Sequence, residues 1–152
     1  YCHAVWDPHQ QTTIDLIEKT QRRAARFAMN DYDQTSSVTN MLKQLGWETL
    51  KDRRCKARLH ILYKETHGLV PSNIQSYRLD DGNHPRANRR PTTRLSSKSF
   101  IYKHIRARKN CYQQSLYPRT IPTWNNLSDD HRCAPTLLKF KNLLENTNIG
   151  TR

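Results

Sequence analysis

The stretch from Thr49 to Gly68, "TLKDRRCKARLHILYKETHG", leaves the chain little choice of local structure. Thr49 with Asp52 three residues on has the form of a capping box, in which a side-chain oxygen satisfies backbone N–H groups that a helix start leaves open. Gly68 offers the left-handed residue that ends a helix, and Pro71 lies just beyond. At 100° per residue, Leu50, Ala57 and Ile61 form one apolar row and Cys55, Leu59, Leu62 and Tyr63 a second. A helix with two apolar rows is buried on two sides. Its cations Arg53, Lys56, His60 and Lys64 run between those sides, with Lys51, Arg54 and Arg58 on another edge.

The segments around it also read as helices. Thr12 with Asp15 repeats the capping pattern, and helical signals run to about Met29, where Asn30 and Asp31 favour a turn. In this segment Ile14, Ile17, Gln21, Ala24, Ala25 and Ala28 share one side, while Lys19, Arg22, Arg23 and Arg26 share the other. Cations three and four residues apart repel one another by a few tenths of a kcal/mol per pair, so a face this uniform suits an external anion. Ser36 or Ser37 can cap a short helix through Val38, Met41, Leu42 and Leu45 that Gly46 ends, with Trp47 folding back onto it.

Order then weakens. From Pro71 to about Ser99 the chain is rich in Pro, Ser, Asn and Arg and poor in apolar residues, the composition of a long loop. Between Arg86 and Lys109 there are ten basic residues, counting His104, and no acidic one, with Phe100, Tyr102 and Tyr112 interleaved or adjacent. Cations for phosphate and rings for bases are what single-stranded nucleic acid requires. Beyond it, Tyr112 to Tyr117 fits a short strand, Pro118 can begin a brief helix holding Ile121 and Trp124, and a last helix follows Pro135 and Thr136. Leu137, Phe140, Leu143 and Leu144 form the buried side of that helix.

The expected fold is mainly α, a small bundle of about five or six short helices with a long basic loop and at most a short strand or hairpin. One compact unit is expected, organised as a basic helical segment over 1–70, a basic linker or arm over 71–110, and C-terminal short helices over 111–152 that pack back on the first segment.

Charge narrows the partners. The 26 Lys and Arg against 13 Asp and Glu leave a formal net charge of +13, which a polyanion relieves most directly. RNA and DNA backbones are the expected partners. No apolar run approaches the roughly 20 residues of a spanning helix, and no membrane partner is expected. Cys2, Cys55, Cys111 and Cys133 form no C-x-x-C pair and suit a reducing compartment, so the expected location is intracellular, the nucleus ahead of the cytoplasm. A chain that begins on Tyr1 reads as a piece of a longer one.

Catalysis finds little support. Asp80-Asp81 and Asp129-Asp130 sit among polar loop residues, unlike the carboxylates of a two-metal site on rigid elements, and read as turns or helix caps. Cys55 with His60, His104 with Cys111, and His131 with Cys133 match no zinc spacing. No Ser/His/Asp set or glycine-rich phosphate loop is present.

Three stretches taken together, "AVWDPHQQTTIDLIEKTQRRAARF", "SSVTNMLKQLGWETLKDRRCKARLHILYKETHGL" and "YPRTIPTWNNL" followed by "APTLLKFKNLL", resemble the C-terminal region of reverse transcriptases of non-LTR retrotransposons, the jockey-like and related long interspersed elements. The stretch Asn73 to Lys109 lies outside the resemblance, so a role for Arg89, Arg90, Arg94 and Lys98 rests on composition. The resemblance implies that residues 1–70 are thumb-like and that the chain grips template RNA and primer. It implies backbone contact for Lys19, Arg22, Arg23 and Arg26 and for Arg53, Arg54, Lys56 and Arg58. The implied partner is the rest of a parent polymerase that would use Mg, with no catalytic centre and no cofactor in this segment. The other class left open is a non-enzymatic helical domain for structure or protein interaction.

Overall fold

A computed structural model describes residues 7–79 and 100–147. The described chain is mainly helical: α1 (Gln11–Met29), α2 (Val38–Gln44), α3 (Leu50–Thr66), a 3₁₀ turn (Ile74–Tyr77), α4 (Asn110–Gln113), α5 (Leu116–Asn125), α6 (Asp129–Arg132) and α7 (Leu137–Asn146). Seven α-helices thus stand where about five or six were expected. Among the described residues no strand forms, and sheet-like pairing is limited to one antiparallel bridge between Arg78 and Tyr102.

Three helix ends share one device. After α1, α2 and α3 the chain turns through Asn30 (φ 51°), Gly46 (φ 64°) and Gly68 (φ 70°). At each, a pair of backbone N–H groups folds back onto the last carbonyls, as Gly46 does to Lys43 and Trp47 to Leu42, or Gly68 to Glu65 and Leu69 to Lys64. A left-handed residue is what lets the chain reverse tightly enough to reach those carbonyls. The start of α3 follows its sequence signature: the Asp52 N–H donates to Thr49 Oγ1 at 3.1 Å, and the Thr49 hydroxyl donates to the Asp52 carboxylate at 2.6 Å. Thr136 likewise accepts from the Lys139 N–H at the start of α7.

Two local expectations are corrected. Thr12 does not cap α1, because the N-cap falls two residues earlier, at Gln10, whose carbonyl accepts from the Ile14 N–H, and Asp15 receives the Gln11 side-chain amide instead. Tyr112 to Tyr117 is not a strand but the junction of α4 and α5. With no neighbouring strand among the described residues to pair with, its N–H groups are satisfied by local bonds, Gln113 to Lys109 and Gln114 to Asn110.

The chain divides into two compact units, between Ala57 and Arg58 within α3. The first unit packs α1 with α2 and the opening turns of α3. Its core is small: Ala25, Met41 and Cys55 are buried together with Gln21 and Arg54.

The second unit holds most of the large buried side chains. Tyr63 stacks on Phe140 with ring centroids 4.5 Å apart, and Trp124 lies 5.9 Å from Phe140 and 6.4 Å from Tyr102. Leu59, Leu62, Ile74, Ile121 and Leu144 fill the space around them. Fully burying such side chains stabilises by roughly 1.5–3 kcal/mol each. The polar tips within this core are satisfied: Tyr63 Oη donates to the Ala134 carbonyl at 2.6 Å, Tyr102 Oη pairs with Thr66 Oγ1 at 2.7 Å, and Trp124 Nε1 donates to the Phe100 carbonyl at 2.8 Å. Phe140 and Leu144 are the buried residues of α7, as its pattern predicts, with Leu137 and Leu143 half-buried.

The linker read over 71–110 is anchored at both ends. Ile74 and Tyr102 are fully buried, and the Leu79 N–H meets the Ile101 carbonyl while the Lys103 N–H meets that of Tyr77. Asn125 of α5 locks the Tyr102 side of this pairing, its Oδ1 accepting from the Tyr102 N–H at 3.1 Å and its Nδ2 donating to the Tyr102 carbonyl at 2.8 Å.

Candidate nucleic-acid interface

The polar face of α1 divides into open and engaged cations. Lys19, Arg22 and Arg23 are exposed and have no ion-pair partner among the described residues. Both carboxylates of α1 are occupied elsewhere, Asp15 by Gln11 and Glu18 by Arg54. Arg26 behaves differently. Its guanidinium donates to the carbonyls of Asp33 and Ser36 and so fastens the loop after α1. In the same loop Asp33 accepts from the Thr35 N–H, which holds its carboxyl below the usual range, with the nearby Arg26 charge adding to the effect.

Of the second basic cluster, Arg54 and Arg58 are buried and Lys56 is paired. Arg54 is buried, with Nε 3.2 Å from Asp7 Oδ1 and Nη2 3.4 Å from Glu18 Oε1. A guanidinium held this way reaches a phosphate only by abandoning two carboxylates. Lys56 is half-buried and pairs with Glu48. Arg58, in the second unit, is also buried; burial pulls its pKa down to about 10, and the Arg119 charge adds to the shift. Only Arg53 of this cluster is exposed, next to the equally exposed Lys51. Arg89, Arg90, Arg94 and Lys98 lie outside the described residues.

Between α1 and the start of α3 lies an open groove of about 520 Å³. Thr20, Gln21 and Ala24 form one wall, and Trp47, Leu50 and Arg53 line the other. The Gln21 side chain crosses to the Glu48 carbonyl at 2.7 Å, fixing the peptide next to Trp47, while its own Oε1 is buried with no hydrogen-bond partner. The sequence reading placed Trp47 against α2. Its backbone N–H does return to Leu42, but the indole stays 40% exposed. The signal for this was Leu45-Gly46-Trp47 itself, since a glycine with positive φ redirects the chain immediately before the ring.

The rings expected to stack on bases are largely spent inside the second unit. Tyr102 is 1% exposed, and Phe100 packs 5.0 Å from His67 with the Arg78 guanidinium 4.9 Å above its ring. Tyr112 alone of the three is well exposed. Glu65, nearby, is buried and accepts from Tyr117 Oη at 3.3 Å; burial raises its carboxyl above the usual range, and the tyrosine hydrogen bond opposes the rise. Asp129 and Asp130 open α6, with Asp129 holding the buried Arg132, and His131 bridges Ser128 and Thr147. Asp80 and Asp81 lie outside the described residues.

Among the described residues there is no group of three or more His, Cys, Asp or Glu that could hold a metal ion. No described helix is long and apolar enough to cross a membrane. Fold and surface define a helical, strongly basic protein. Compared with known protein families, curated proteins and solved structures, the chain matches none.

Proposed function

We propose that the first unit binds the phosphate backbone of RNA or DNA through Lys19, Arg22 and Arg23 of α1, with Lys51 and Arg53 of α3 beside them. The observation that carries this reading is that the three α1 cations share one helix face, are exposed and have no acidic partner among the described residues. A merely solvated face normally intersperses both signs. Contacts of this kind are largely independent of sequence and weaken steeply with salt.

On this reading the chain is the C-terminal, thumb-like segment of a retrotransposon RNA-directed DNA polymerase, acting in the nucleus and holding template and primer while the parent polypeptide supplies Mg and the catalytic carboxylates. It performs no catalysis of its own. The exposed Leu16 and Phe27, the latter 77% exposed, favour a further contact of α1 with the rest of that polypeptide. The same two residues are what an interaction domain without nucleic acid would use.

Titration of an RNA hairpin with the 152-residue chain at several salt concentrations tests the reading. Binding should weaken linearly on logarithmic axes, and replacing Lys19, Arg22 and Arg23 together by Ala should reduce the slope by about 2–3. No binding at low salt, or an unchanged slope in the triple variant, refutes it.

A further inference from the structure

We infer that the groove between α1 and the start of α3 is a pocket for one unpaired nucleotide, its base stacked on Trp47 and its phosphate held by Arg53. This rests on the nucleic-acid reading above and goes further, because backbone contact alone needs no pocket and makes no distinction between paired and unpaired strands.

Three features point to a base. The groove's volume of about 520 Å³ lies within the range of small-molecule sites. Its lining offers one broad ring, Trp47, that remains 40% exposed although its backbone N–H is fixed on the Leu42 carbonyl and the following residue, Glu48, is held by Gln21. An exposed ring on a fixed backbone is a stacking platform that costs little entropy to use. Opposite it, Thr20 and Ala24 present small side chains, so a flat ligand approaches α1 without obstruction.

Charge selects the same ligand. Arg53 lines the groove with no ion-pair partner among the described residues, while the one acidic side chain there, Glu48, is taken by Lys56. The exposed Lys51 adjoins Arg53 in sequence, and Lys19 and Arg23 are the α1 neighbours of Thr20 and Ala24. The exposed ring asks for a flat partner and the cations for an anion, and an apolar peptide helix supplies neither. An unpaired nucleotide in a strand whose flanking phosphates run along α1 satisfies both demands.

The test compares a short single-stranded oligouridylate with an RNA duplex of the same length, titrated into the full 152-residue chain at low salt. Trp47→Ala should weaken the single strand about tenfold and the duplex less than twofold, and Trp47→Phe should recover most of the loss. Arg53→Ala should weaken the single strand more than the duplex, which keeps the test open if Trp47→Ala fails to fold. Equal losses on both strands, or no loss on either, overturn the nucleotide pocket while leaving backbone binding standing. If the unaltered chain binds neither strand, the nucleic-acid reading falls and the pocket with it.

Discussion

Arg54 of α3 and Asp7, which lies before α1, meet at 3.2 Å, with side chains only 9% and 4% exposed, and Glu18 joins them from α1. A single buried guanidinium thereby ties both ends of the first unit's sequence together. Removing it takes the guanidinium away from a buried Asp7 carboxylate, whereas Glu18 retains some water. Arg54→Ala should therefore destabilise the first unit by about 3 kcal/mol, the lower part of the range for a broken buried pair, as read by urea unfolding. The same variant should leave the salt dependence of RNA binding nearly unchanged.

Asn125 should matter more than an ordinary half-buried amide. It replaces a neighbouring strand for Tyr102, accepting from its N–H and donating to its carbonyl. Asn125→Ala leaves both groups unmade at the edge of the core, a cost of about 2 kcal/mol. Amide exchange at Tyr102 and Lys103 should accelerate, while exchange in α1 stays as it was.

The buried Glu65 gives the second unit a pH dependence of unusual sign. Burial raises its folded-state pKa above the unfolded value, so in the interval between them the folded protein binds more protons. Stability is then fullest below the unfolded carboxylate pKa and declines as pH rises through the folded one. Glu65→Gln should flatten that decline in a series of thermal melts from pH 4 to 7, since the amide oxygen still accepts from Tyr117. An unaltered profile would assign the decline to another group.

Gly46 and Gly68 should be sensitive to substitution for backbone reasons alone. A Cβ at either position meets nothing within 4 Å, so Ala there costs only the left-handed backbone, about 1 kcal/mol at each site. Asn in place of Gly68 should cost less than Ala, as Asn30 already serves in that conformation after α1. Urea midpoints of the three variants check the order.

What the sequence made legible was local. Thr49, Asp52 and Gly68 marked both ends of α3, Gly46 ended α2, and Phe140 and Leu144 set the buried side of α7, because caps and helical periodicity act within a few residues. What it hid was long-range. Arg54 looked like Arg53 until Glu18, 36 residues earlier in the chain, took its charge. Tyr102 looked like a ring awaiting a base, because nothing near it in sequence announces Thr66 or Asn125 as its partners. The open face of α1 lies between these cases: its cations were legible from spacing, but the release of three and the capture of Arg26 depend on how the following loop folds.

The bridge between Arg78 and Tyr102 has a genetic corollary. It is framed by two backbone bonds, from the Leu79 N–H to the Ile101 carbonyl and from the Lys103 N–H to that of Tyr77, and Asn125 holds Tyr102 from α5. Substitutions on the two sides of this pairing, more than twenty positions apart in sequence, therefore couple rather than add.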